Sequence, residues 1–143
     1  MNENIELIKC IYKNADMAMS ALEDALKYLK EKDNKIKDAI HDLSEEYKSF
    51  KQKAKDMLSE EDLTENNPMG KMMSKMGIRK EIESDNSDAS VADMLIQGIS
   101  MGSIEIEKKL DEFKNHSEKE TIKLAKEFSK FQEKSIEKLK KYL

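Results

Sequence analysis

Val91-Ala92-Asp93-Met94-Leu95-Ile96-Gln97-Gly98-Ile99-Ser100-Met101-Gly102-Ser103-Ile104-Glu105-Ile106 is the one long reach of a 39% charged chain from which charge nearly disappears. No ionisable side chain stands between Asp93 and Glu105, so this stretch is expected to be the part most enclosed by the rest. Ala92, Ile96, Ile99, Ser103, Ile106, Leu110 and Phe113 follow at four- and three-residue steps, which keeps them on one face of a helix. Leu95, Gly102 and Lys109 flank that face. Gly98 and Gly102 lie one turn apart, and each costs a helix about 1 kcal/mol relative to alanine. Two readings can offset the cost: close packing of a neighbouring helix, or a small-residue opening for a ligand. A membrane span is excluded by length, because the uncharged run falls far short of the roughly 20 apolar residues that cross a bilayer.

Outward from this stretch, the chain divides into further amphipathic segments. Ile8, Ile11, Ala15, Ala18, Leu22, Ala25 and Leu29 predict a helix over about 3–31, with Tyr12, Met19 and Leu26 widening its stripe. Ile36, Ile40, Leu43, Tyr47, Phe50, Ala54 and Met57 predict a second over about 35–58. The short polar link at Lys32-Asp33-Asn34 makes them antiparallel neighbours, with Asp33 or Asn34 as the cap. The central helix is expected over 91–114, opened by a capping box at Ser90 and Asp93. The last spans 118–142, opened by Ser117 and Glu120, with Ile122, Ala125, Ile136, Leu139 and Leu143 on one line and Leu124, Phe128 and Phe131 beside it. Residues 59–90 form a long crossover with a short helix at about 68–76. Asn67-Pro68 starts that helix and Gly77 closes it in the left-handed conformation.

Four long helices joined by short, long and short links predict a single all-α domain over 1–143, a ferritin-like four-helix bundle of two antiparallel hairpins. The chain also resembles a small bacterial ferritin-like, rubrerythrin-related family. The resemblance rests on Ile11-Tyr12-Lys13-Asn14-Ala15 with Met17, on Asn67-Pro68-Met69-Gly70-Lys71-Met72-Met73-Ser74-Lys75-Met76-Gly77-Ile78, and on Met94-Leu95-Ile96-Gln97-Gly98 with Met101-Gly102. It implies the fold and carries no assigned activity.

Ferritin-like bundles often hold two metals through glutamates and Glu-x-x-His motifs, and this sequence departs from that pattern. Its two histidines, His41 and His116, do not stand three residues after a glutamate, and both are expected at the surface. Glu105 borders the seam, and with Glu23, Glu46 and Glu127 it is the candidate for an all-carboxylate iron or manganese site. The methionines Met69, Met72, Met73 and Met76 read as a flexible apolar lid or core, as an adaptable partner surface, or as thioether ligands for copper(I). No nucleophile and base stand at a recognisable helical spacing, and no glycine-rich phosphate loop occurs.

The formal net charge of −4, with Arg79 the only arginine, argues against nucleic acid as a partner. Cys10 is the only cysteine. It lies off the first helix's seam and is expected exposed or at a subunit contact. Met1-Asn2-Glu3-Asn4 lacks the features of a secretory signal, so the expected location is cytoplasmic, without membrane attachment. Leu7, Tyr28, Ile104 and Leu124 lie beyond single seams and suggest a homodimer. The expected function is a non-enzymatic binding or interaction module without cofactor; the rivals are a metal-binding ferritin-like protein and a small-ligand carrier with its cavity beside Gly98 and Gly102.

Overall fold

The computed structural model describes residues 2–64 and 77–143. They are all-helical, and no strand occurs among the described residues. Four long helices, α1 (Glu3–Tyr28), α2 (Lys37–Asp56), α3 (Asp88–Phe113) and α4 (Lys119–Lys140), are accompanied by 3₁₀ turns at Asp62–Thr64 and Lys114–His116. A further helical segment covers residues 77–84. The short helix expected at 68–76, with its Asn67-Pro68 start and four methionines, lies outside the described residues. Gly77 is helical with no positive φ, so it does not end a helix in the left-handed conformation as expected.

Helix α1 packs against each of the other three long helices, and α2 also meets α4 while α3 pairs with α4. The directions follow from the residues in contact. Along α1 and α2, Asp16 meets Lys51 at 2.9 Å, while Lys37 Nζ donates to the Leu29 carbonyl at the corner. Along α1 and α3, Cys10 meets Glu105, and Asn34, just past α1, meets Asp88. Rising numbers on α1 thus face falling numbers on both α2 and α3. Helix α2 therefore ends at the opposite end of the molecule from the start of α3, and the chain between them returns along its length.

The core is one cluster drawn from all four long helices, with Ile78 and Ile82 of the 77–84 segment joining it. Its widest side chains are aromatic. Tyr47 and Phe50 of α2 meet Phe128 and Phe131 of α4, with ring centroids 4.7–5.9 Å apart, mostly in the tilted or edge-on arrangements that aromatic quadrupoles favour.

Several local expectations are corrected by tertiary contacts. Helix α3 starts at Asp88, with the Ser87 side chain accepting from Ser90 N, so the cap lies three residues before the expected Ser90. That earlier start puts the Asp88 carboxylate beside the α1–α2 corner, where it accepts from Lys35 N at 3.2 Å and Asn34 Nδ2 at 2.9 Å. The start of α2 is thus served from another helix, and neither Asp33 nor Asn34 caps it. At the other short link, Ser117 donates to the Phe113 carbonyl, and Asn4 of α1 accepts from Glu118 N at 2.9 Å. The expected Ser117–Glu120 capping box is replaced by a residue more than a hundred positions away.

On α4, buried Thr121, Leu124, Ala125, Phe128, Gln132, Ser135 and Leu139 define the inward face, while Leu143 lies 62% exposed. The seam turns slightly from the expected line of isoleucines and takes in polar residues. Leu7 and Leu124, expected to be surplus apolar positions, are consumed inside the chain's own core. Cys10 is also buried, 6% exposed, against the expectation of an exposed thiol. The reason is the same for Leu7 and Cys10: a helix touching three others buries an arc wider than a single heptad seam.

Candidate functional site

The charge-poor half of α3 is not the most enclosed part of the molecule. Val91, Ala92, Leu95, Ile99, Ser103 and Ile106 are buried, but Gln97 and Gly98 are exposed, and Met101 and Ile104 are 74% and 53% exposed. A stretch without charge and without full cover is the feature that separates binding surfaces from ordinary helix faces.

This open side forms one wall of a cleft of about 670 Å³ between α1, α3 and the 77–84 segment. Helix α1 supplies Asn14, Met17 and Leu22, and the 77–84 segment supplies Ile78 and Glu81. Ile78 and Ile82 are buried one turn apart, and the exposed Glu81 flanks them in the cleft lining.

The two glycines of α3 have opposite surroundings. A methyl group at Gly102 would collide with Asn14 Oδ1 and come within 3.4 Å of Gln132 Oε1. At Gly98 an added Cβ meets nothing within 4 Å among the described residues. Gly102 is therefore where a neighbouring side chain comes close, while Gly98 borders open space in the cleft wall. Asn14 cannot easily retreat from Gly102, because its Nδ2 donates to the Cys10 carbonyl one turn earlier at 3.0 Å.

The cleft has a polar floor. Gln132 lines it and is only 1% exposed. Its Oε1 accepts from the buried Tyr47 hydroxyl at 3.0 Å, and its Nε2 finds no acceptor among the described residues. Burial holds the Tyr47 hydroxyl protonated by pushing its pKa above the ordinary tyrosine range. Beside the floor, the Cys10 thiol donates to Glu105 Oε1 at 3.4 Å. Burial first, then the Glu105 carboxylate, pushes the Cys10 pKa up to about 12. At neutral pH it is a thiol and not a thiolate, a poor nucleophile and a poor metal ligand.

Of the residues singled out from the sequence, Gly98, Gly102 and Glu105 come together in this cleft. Glu23, Glu46 and Glu127 are exposed, and among the described residues no three His, Cys, Asp or Glu side chains converge into a group able to hold a metal ion. His41 and His116 are exposed as expected, His41 lying 3.9 Å from Asp42. Met69, Met72, Met73 and Met76 lie outside the described residues. Among the described residues no helix is long and apolar enough to cross a membrane.

Gln132 was missed as a site residue. Its signal was its place in the run Phe128, Gln132, Ser135, Leu139, whose four-three-four steps put a long polar side chain on a core face. No family model matches the chain, and no curated protein or solved structure matches it either.

Proposed function

We propose that this chain is a non-enzymatic binding module built on a ferritin-like four-helix bundle, with the cleft beside Gly98 as its working surface. The observation that carries the reading is the exposure of the uncharged half of α3 around that cleft. An unoccupied face would ordinarily carry the lysine and glutamate that cover the rest of this chain. The absence of charge there, with a helix-weakening glycine bordering open space, is what a binding surface requires and a solvated face does not.

The ferritin-like architecture is supported by direction as well as by link length. Helices α1 and α2 form one hairpin and α3 and α4 another, and the chain joining them returns along the molecule's length. An up-and-down bundle has no need of such a return.

Self-association is the second element of the proposal, and it is favoured by Met101 and Ile104. They stand three residues apart on the exposed side of α3, with no cover from the described chain. Sedimentation velocity at increasing concentration tests it. Wild type is expected to form a dimer and Ile104→Lys a monomer with unchanged helical content, since Ile104 takes no part in the core. A wild-type protein that stays monomeric overturns self-association and leaves the cleft to be judged by ligand binding.

A further inference from the structure

We propose that the cleft between α1, α3 and the 77–84 segment binds a small apolar molecule, uncharged or cationic, whose hydrogen-bond acceptor is taken by the Gln132 amide. The inference rests on the cleft reading above and adds the chemistry of the ligand.

Size sets the first limit. A cleft of about 670 Å³ lies within the range of sites that enclose small molecules, roughly 300–1,000 Å³. Its walls are apolar and adaptable. Met17, Met94 and Met101 border it with Leu22, Leu95 and Ile78, and methionine's unbranched thioether conforms to ligands of varied outline.

Charge sets the second limit. Glu81, Asp93 and Glu105 line the cleft, and no lysine, arginine or histidine does so among the described residues. An anionic ligand would enter a field of its own sign without a partner, whereas a cation is attracted and a neutral molecule is indifferent. Asp93 is held by Gln97 Nε2 at 3.0 Å, and Glu105 receives the Cys10 thiol. Neither bond adds positive charge to the lining.

Gln132 supplies the specific contact. Buried donors are nearly always paired, and Nε2 has no partner among the described residues. With Oε1 engaged by the Tyr47 hydroxyl, the end of the amide left over is the donor. A buried donor left over in this orientation is matched by a ligand that brings an acceptor. Gly98 keeps its part of the cleft wall open, since a Cβ added there meets nothing within 4 Å among the described residues.

The test uses the full chain at pH 7 with the uncharged fluorophore 1-aminoanthracene as reporter. Three competitors share one alkyl chain and differ only in the head group: 1-decanol, decylammonium and decanoate. Saturable dye binding is expected, displaced by decanol and decylammonium and about tenfold or more less effectively by decanoate. Gly98→Phe is expected to abolish dye binding while melting at or above the wild-type temperature, since it removes a glycine from a helix. Gln132→Met keeps the length and removes the donor; made in a Tyr47→Phe background, where no hydroxyl is left without its acceptor, it is expected to weaken decanol by about tenfold, the loss of one hydrogen bond.

Decanoate competing as well as decanol, with binding still lost in Gly98→Phe, overturns the ligand chemistry and leaves the cleft standing as a binding surface. Unchanged decanol affinity on adding Gln132→Met to that background overturns the role of the amide. Dye binding that is absent, or that survives in Gly98→Phe, overturns this inference and the cleft reading together.

Discussion

Gly98 and Gly102 occupy the same helix one turn apart, yet substitution should separate them. With nothing within 4 Å of its added Cβ, Gly98→Ala is expected to stabilise the protein by about 0.5–1 kcal/mol through helix propensity alone. Gly102→Ala gains the same propensity but forces Asn14 off the Cys10 carbonyl, giving back about 1 kcal/mol or more. Urea denaturation of both variants measures the difference, and equal stabilisation would show that Asn14 yields freely. Cys10 makes a second residue-scale prediction. At pH 8 native protein should react with a thiol reagent far more slowly than urea-unfolded protein, because its thiol is buried and ionises only near 12. The folded pKa lies above the ordinary value of 9.0, so its stabilising contribution is fully present below pH 9. Above pH 9 the unfolded thiol ionises first, and stability falls by up to about 1.4 kcal/mol per pH unit toward pH 12. Replacing Cys10 with alanine should flatten that part of the stability curve.

At the scale of elements, the helices end where other helices allow them to. Asp88 opens α3 and at the same time accepts from Asn34 Nδ2 and Lys35 N at the α1–α2 corner. Asp88→Ala leaves both donors without it, and about 1–2 kcal/mol of stability should be lost. Hydrogen exchange should localise the change to the corner at residues 34–37 as well as to the start of α3; a loss confined to α3 would show that the corner does not depend on Asp88. The inward spacing of α1, α2 and α3 was legible in the sequence, because a three-four repeat of apolar side chains needs no knowledge of the partner. The caps were not. Asn34 and Ser117 are good local acceptors, but the contacts that win are Asp88 and Asn4, which reach the amides from distant parts of the chain, while at α3 the cap is Ser87, three residues before the expected Ser90.

At the scale of the molecule, α1 sits against three helices and the open side of α3 is left without a complete cover from the described residues. That asymmetry buries Cys10, leaves Met101 bare and creates the cleft. It also bears on metal binding, since Glu23, Glu46 and Glu127 remain exposed on separate faces and do not join Glu105. Purified protein exposed anaerobically to Fe(II) or Mn(II) and then desalted is expected to retain far less than one metal per chain by elemental analysis. Two per chain would reinstate the di-metal reading. Copper(I) bound through Met69, Met72, Met73 and Met76 would be distinguished by its loss on changing them to leucine.

The sequence alone determined that the chain folds as long amphipathic helices, where their inward faces run, and that Val91–Ile106 is unlike the rest. Periodicity and composition are properties of a segment, and a segment's buried stripe is dictated by 3.6 residues per turn whatever lies opposite. Tertiary structure alone decided how wide each buried arc is, which donor meets which acceptor, and whether an uncharged stretch is enclosed or open. Those depend on how many neighbours a helix has. Gln132 is the clearest case: its polarity is visible in the sequence, but only the approach of Tyr47 engages one end of its amide and leaves the other without a partner among the described residues at the floor of a cleft.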